Sequence, residues 1–152
     1  MEDCIFCNIV AGTLPSYSVW EDENHLAFLT PFPNTAGFTV VIPKKHYPSY
    51  IADVPADVRA QLMDAACLVS KKIDNGFEDV GRTGIMFEGF GVDHLHAKLF
   101  PMHGTKSDKW QQRSSREETY FEMYPGYISS HDAAPAKNEV LEAIATKIRN
   151  AS

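Results

Sequence analysis

The sequence predicts an α+β domain: an antiparallel sheet of about five strands with one long helix and a C-terminal helix. Three observations predict it. Short segments with strand patterning crowd residues 1–103. One stretch among them, from Pro55 to about residue 75, repeats its apolar residues at helical spacing. A second amphipathic stretch closes the chain. Strands, a long helix, more strands and a terminal helix is the segregated order of an antiparallel sheet with helices on one side.

Each element has its own justification. "SVWED" and "HLAFLT" read as a hairpin split by the polar turn "EDEN". "PFPNTAG" is a loop rich in chain breakers. "FTVVIP" (38–43) is a buried strand stopped by Pro43. The long helix starts at Pro55, a residue suited to a first turn, and lines up Val58, Leu62, Ala65, Ala66, Val69 and Ile73. "RTGIMFEG" (82–89) is the next strand, and "VDHLHAKLF" (92–100) the last, ending near Pro101. Residues 104–136 are polar and irregular, with aromatics at Trp110, Tyr120, Phe121, Tyr124 and Tyr127. "NEVLEAIATKIRN" is an amphipathic helix through Val140, Leu141, Ile144 and Ile148. No repeat or linker divides the chain. Residues 1–103 are read as the core, and residues 104–152 as an extension packing on the same domain.

Bulk properties narrow the function. A chain of 152 residues, 44% hydrophobic and 22% charged, suits one globular domain with a real core. A net charge of −6 argues against a general attraction to nucleic acid or an anionic membrane. No apolar run approaches the ~20 residues of a membrane span. The start "MEDCIFCNIV" lacks the basic opening of a signal peptide, which points to the cytoplasm. Three cysteines are too few for a disulfide scaffold.

The segment "VDHLHAKLF" carries the strongest chemical signal. On a strand, His94, His96 and Lys98 share one face, and Leu95, Ala97 and Leu99 the other. Same-face neighbours stand ~6.6 Å apart, room for a phosphate group between them. Such a face suits attack on phosphorus, with one neutral imidazole as nucleophile and neighbouring donors on the phosphate oxygens. A lysine beside the nucleophile neutralises phosphate charge and disfavours imidazole protonation. While charged it accepts no hydrogen bond, so it is not a full substitute for a histidine. The competing reading of these histidines is structural accident.

"CIFC" sets Cys4 and Cys7 at a spacing shared by metal sites and redox pairs. No thioredoxin-like pattern surrounds it. A zinc site needs two more ligands, from Cys67, His25, His46, His94, His96, His103 or His131. Sequence alone does not choose among the histidines. Cys67 is read as core, on the apolar side of the long helix. His25 and His131 carry no motif and are read as exposed.

"CIFCNIVAGTLPS", "AFLTPFPNTAGFTVVIPKKHYPSY" and "VDHLHAKLFP" together resemble the histidine triad (HIT) superfamily in order and spacing, over roughly residues 3–103. The resemblance implies a HIT-like fold and puts the attacking histidine at His96. It also implies zinc on Cys4, Cys7, His46 and His94, as a closed structural site. Without metal, His46 and His94 would orient the nucleophile through hydrogen bonds. A homodimer is implied as well.

The chain departs from the family pattern near the nucleotide pocket. Lys98 stands where the third histidine belongs. The related galactose-1-phosphate uridylyltransferases carry glutamine there and still transfer nucleotides. Thr30 stands where an aspartate binds the ribose, and Phe38 where a histidine often follows the glycine. "FEGFGVDH" is shorter than the usual run before the triad. Lys98, Lys44, Lys45 or residues 104–136 are candidates to supply the lost contacts, with a solvated turn the bland reading of Lys44 and Lys45. His103 is a candidate general acid, against a plain surface residue. The aromatics at 110–127 could stack on a base, close the sheet edge or meet a second subunit.

The expectation is a cytoplasmic nucleotide hydrolase or nucleotidyl transferase of the phosphoramidate or dinucleoside polyphosphate type. It attacks the α-phosphate through a covalent nucleotidyl-histidine at His96. Catalysis is placed on His96, Lys98 and His94, substrate binding on Thr30, Lys98 and His96, and structural zinc on Cys4, Cys7, His46 and His94. A catalytically silent nucleotide-binding or regulatory module is the alternative, and a zinc-stabilised interaction domain the third reading.

Overall fold

A computed structural model describes residues 4–113, 120–124 and 134–151. Its elements in chain order are α1 (Ile5–Val10), β1 (Tyr17–Glu21), β2 (His25–Leu29), β3 (Thr39–Pro43), α2 (Ala56–Gly76), β4 (Thr83–Met86), β5 (Ala97–Pro101) and α3 (Asn138–Arg149). The five strands form one antiparallel sheet in the order β1-β2-β3-β5-β4.

The alternation of each strand decides what covers the sheet. Ala27 and Leu29 of β2, Val41 of β3, and Ala97 and Leu99 of β5 point to the side of α2 and α3. There they bury Leu62, Ala66, Val69 and Ile73 of α2 with Leu141, Ala145 and Ile148 of α3. Each leucine, isoleucine or valine among them contributes roughly 1.5–3 kcal/mol when fully buried. The opposite residues, Leu26, Phe28, Val40 and Ile42, meet Phe6 of α1 and Phe38. β2 and β3 are therefore buried along their whole length. The sheet has two covered faces, and the functional groups lie on the α1 side.

The last two strands are shorter than their patterns predict. The chain from residue 87 to 96 leaves the ladder, so His94 and His96 precede β5 instead of lying on it. The cause is local. Gly89 and Gly91 take positive φ values of 75° and 95°. The His94 N–H turns back to the Val92 carbonyl (2.9 Å), and the Leu95 N–H donates to Tyr47 O (2.9 Å). The loop thus packs on the 44–50 segment, where Asp93 Oδ1 accepts the Ser49 N–H at 3.0 Å. A Cβ at Gly89 would stand 3.1 Å from the Ser49 carbonyl oxygen. Gly89→Ala combines that crowding with a backbone conformation costing about 1–2 kcal/mol for an L-residue. We expect a drop in stability of that order in urea unfolding. An unchanged midpoint would show that the loop does not need glycine there.

One helix joins the expected elements, and two expectations are corrected. The six-residue helix α1 is too short for a periodic pattern and was not predicted. Cys67 is exposed, because one residue beyond the buried Ala66 turns it ~100° off the apolar stripe. His25 is buried at the start of β2, its Nδ1 facing Asp22 Oδ1 at 3.3 Å.

Candidate active site and metal centre

A cavity of about 270 Å³ opens on the α1 side of the sheet. Its walls are largely apolar and include Ile5, Phe6, Phe28, Phe38 and Phe90; His96, Lys98 and Thr30 supply the polar groups. This is a mostly apolar pocket with a few convergent polar groups, the usual form of a small-molecule site.

His96 is 3% exposed. Its Nδ1–H donates to the His94 carbonyl oxygen at 2.7 Å. That bond selects the tautomer and leaves Nε2 with its lone pair. Burial pushes the imidazole below its ordinary pKa; the carbonyl bond and Glu88 act the other way, and the Lys98 charge adds to the lowering. The ring is therefore neutral at neutral pH, the form a nucleophile needs. The edge of the Phe6 ring fixes its plane, with centroids 5.6 Å apart.

Lys98 lies on the same cavity wall, but it is already engaged. Its ammonium pairs with Glu88 Oε1, and both side chains are mostly buried, 14% and 12% exposed. Glu88 Oε2 accepts the hydroxyl of Tyr124 at 2.7 Å. The Tyr124 ring stacks on Phe90, with centroids 5.9 Å apart. The C-terminal segment therefore reaches the rim of the cavity.

Behind His96 stands a second constellation. Cys4, Cys7, His46 and His94 bring four potential ligand atoms within 4.8 Å of one another. Cys4 Sγ and Cys7 Sγ lie 3.5 and 3.6 Å from His94 Nδ1, and Cys7 Sγ lies 3.5 Å from His46 Nδ1. The S···N edge of a tetrahedron with ordinary zinc bond lengths is about 3.6 Å. His94 Nε2–H donates to Pro43 O at 2.8 Å, which turns Nδ1 and its lone pair toward the sulfurs. Burial first, then Cys4, pushes the Cys7 thiol above its ordinary value, since neighbouring thiols resist ionising together. The donor set and its spacing fit zinc. Held there, the metal would tie α1 to the 44–46 turn and to the residue that fixes His96. With four protein ligands, the site would leave no open position for substrate.

The predicted site residues thus separate into two groups. His96, Lys98 and Thr30 line the cavity; Cys4, Cys7, His46 and His94 form the cluster beside it. Thr30 is nearly buried, and its Oγ1 accepts the Phe32 N–H at 3.2 Å. Phe38 is a wall residue whose ring lies tilted by 42° against Phe100, with centroids 4.4 Å apart. Lys44 is tied to Glu21 (2.6 Å) and the Asp22 carbonyl (2.7 Å), and Lys45 lies over the Tyr47 ring. Neither lines the cavity.

His103 also stays outside the cavity. Its Nδ1 faces Asp79 Oδ1 at 3.1 Å and its Nε2 faces Ala36 O at 2.9 Å, pinning two loops. Its hydrogen bond holds the Asp79 carboxyl below the ordinary value of 3.8, helped by the Gly104 N–H. A lowered carboxylate pKa gives stability that is present above 3.8 and lost as pH falls through the folded value. The melting-temperature gap between wild type and Asp79→Asn should close as pH drops from about 5 toward 3. A gap constant over that range would mean that the pair adds nothing. Trp110 and Tyr120 are exposed, while His131 and Tyr127 lie outside the described residues.

Sequence reasoning missed Glu88, Phe90 and the reach of Tyr124. Glu88 had a signal. Met86 pairs with Lys98 across β4 and β5, so residue 88 is the diagonal same-face neighbour of Lys98. Reading it requires the register, which glycines blur here. Tyr124 had no local signal.

Comparison with known proteins follows the same geometry. Residues 11–105 match the model of the HIT domain family, a range that begins after the cysteine pair. Protein hit of Bacillus subtilis is 36% identical over 107 residues, covering 68% of this chain and 73% of that protein. Adenosine 5′-monophosphoramidase HNT1 of Saccharomyces cerevisiae is 30% identical over 104 residues, covering 68% of this chain and 65% of that protein. The crystal structure of a hypothetical histidine triad nucleotide-binding protein from Sulfolobus tokodaii superposes with a TM-score of 0.71 and 27% identity, over 96% of this chain and 89% of that one. A Zn-bound histidine triad family protein from Mycobacterium smegmatis gives 0.63 and 24%, over 97% and 96%, a likeness of fold.

Proposed function

The chain belongs to the HIT domain family, and on that premise we propose that it is a nucleotide hydrolase or nucleotidyl transferase acting at an α-phosphate. One observation carries the reading. A buried, neutral His96, held through Nδ1 with Nε2 left as a base, forms the wall of an apolar cavity beside an ammonium group. The Nε2 lone pair attacks the α-phosphorus, an N–P bond forms, and the bond from phosphorus to the substituent breaks. The substituent leaves with the electron pair and takes up a proton. Water or another acceptor then attacks the same phosphorus, the N–P bond breaks, and neutral His96 returns.

Lys98 donates to the phosphate oxygens with the N–H groups that Glu88 does not take. Thr30 meets the sugar side of the ligand, and the aromatic wall receives the base. The named activity of the yeast relative makes adenosine phosphoramidates the first substrates to try. Zinc on Cys4, Cys7, His46 and His94 is part of the proposal, supported by the donor geometry. So is the reading of residues 104–152 as an extension of one domain. A homodimer is supported by the family and by the free edge of β4, with Met63 and Leu68 exposed on α2. No helix among the described residues is long and apolar enough to cross a membrane, and we place the protein in the cytoplasm.

The test is direct capture. After incubation with adenosine phosphoramidate and quenching, peptide mass spectrometry should find an adenylyl group on His96. A second reading, a silent nucleotide-binding module, is favoured by one fact: the cation beside His96 is already paired with Glu88. It predicts nucleotide binding with no adduct.

A further inference from the structure

Lys98, which shares the cavity wall with His96, is paired with Glu88. Lys98 is the one cation among the described residues lining the cavity. A lone lysine in an apolar wall would favour the most highly charged phosphate available. This lysine is not alone. The Glu88 carboxylate meets it directly, and both are shielded from water. The pair is neutral in sum, and the low-dielectric wall keeps water from screening either charge. Tyr124 holds the other carboxylate oxygen, so Glu88 cannot swing away without losing that bond as well. Glu88 also lies close enough to His96 for its charge to be felt there.

From this juxtaposition we propose that Glu88 is a charge-selecting residue. Its carboxylate cancels the Lys98 cation beside His96. The subsite then takes phosphoryl groups bearing one negative charge, such as phosphodiesters and phosphoramidates. The dianionic monophosphate that hydrolysis leaves behind is held no more tightly than they are. The inference rests on the proposed nucleotide chemistry and narrows its substrate class. It also bears on product release: the reaction adds one negative charge to the phosphoryl group, and with the Lys98 cation cancelled that charge gains no extra hold.

Two probes that differ by one charge test it. AMP is a dianion above its second ionisation near pH 6, whereas adenosine 5′-methyl phosphate carries one charge throughout. Their dissociation constants are measured by calorimetry at pH 7.5 with wild type and Glu88→Gln. Coulomb energy is linear in ligand charge, so removing the carboxylate should tighten AMP about tenfold and the methyl ester only about threefold. In wild type the two probes should bind within about threefold of each other, a comparison that needs no variant to fold. Equal shifts for both probes, weaker AMP binding in Glu88→Gln, or a wild-type preference for AMP above about threefold would overturn the charge selection while leaving the nucleotide reading intact. If neither probe binds wild type, the nucleotide reading itself falls and takes this inference with it.

Discussion

Replacing His96 with alanine should lower kcat/KM for adenosine phosphoramidate by roughly a thousandfold or more, the scale on which covalent nucleophiles act. The loss should fall on kcat. In the proposed reading nucleotide binding draws on the aromatic wall, Thr30 and Lys98, cavity residues that the substitution leaves in place. His96 itself donates a hydrogen bond to the His94 carbonyl, so the variant also frees one buried acceptor. That costs stability of about 1–3 kcal/mol, which must be measured separately. His96→Asn keeps a side-chain N–H in roughly the same place and serves as the folded control. Two outcomes would sink the covalent mechanism. One is a variant that keeps a tenth or more of the activity. The other is full loss with no adenylyl adduct on the wild-type protein.

The second large effect concerns the cluster behind the nucleophile. Purified protein should carry one zinc per chain, and Cys7→Ser should lose it together with several kcal/mol of stability. Structural zinc supplies about 10–16 kcal/mol in peptides with no other core. Here the sheet has its own core on both faces, so only part of that is at stake. A loss of about 3–5 kcal/mol would lower the melting temperature by about 10–15 °C in a chain of this length. His46→Ala should lose metal too, whereas Cys67→Ser, exposed on α2, should retain it. Absence of metal from the purified protein, with Cys7→Ser melting normally, would leave the four side chains as a hydrogen-bonded prop for His96.

Much of this architecture was readable from periodicity. The α2 stripe through Leu62, Ala66, Val69 and Ile73 and the five strands all left patterns in the chain, because each buries a face against a neighbour. The roles of Cys4, Cys7, His46 and His94 came from resemblance, not from spacing. Only the fold brings residues 4 and 94 together. The strand ends were misjudged where Gly89 and Gly91 let the backbone turn while the side chains kept alternating. Leu95 is buried and His96 lines the cavity, as a strand would have placed them. The alternation was real and the ladder was not. Cys67 was legible from helical phase, since it follows the buried Ala66 by one residue; His25 shows the limit of local reading, since its burial depends on which neighbours pack over the start of β2.

The site draws on segments far apart in the chain, and synthesis delivers them in order. Cys4 and Cys7 leave the ribosome first, but their partners His46 and His94 follow much later. Tyr124, which holds Glu88, comes later still, and α3 arrives last to cover Val19 and Leu29. A nascent chain with residues up to about 110 clear of the ribosome would already have every candidate metal ligand and the candidate nucleophile. It would lack the tyrosine that restrains Glu88 and the helix that seals the core. On the proposed reading, the cluster can therefore take up metal before Glu88 is restrained.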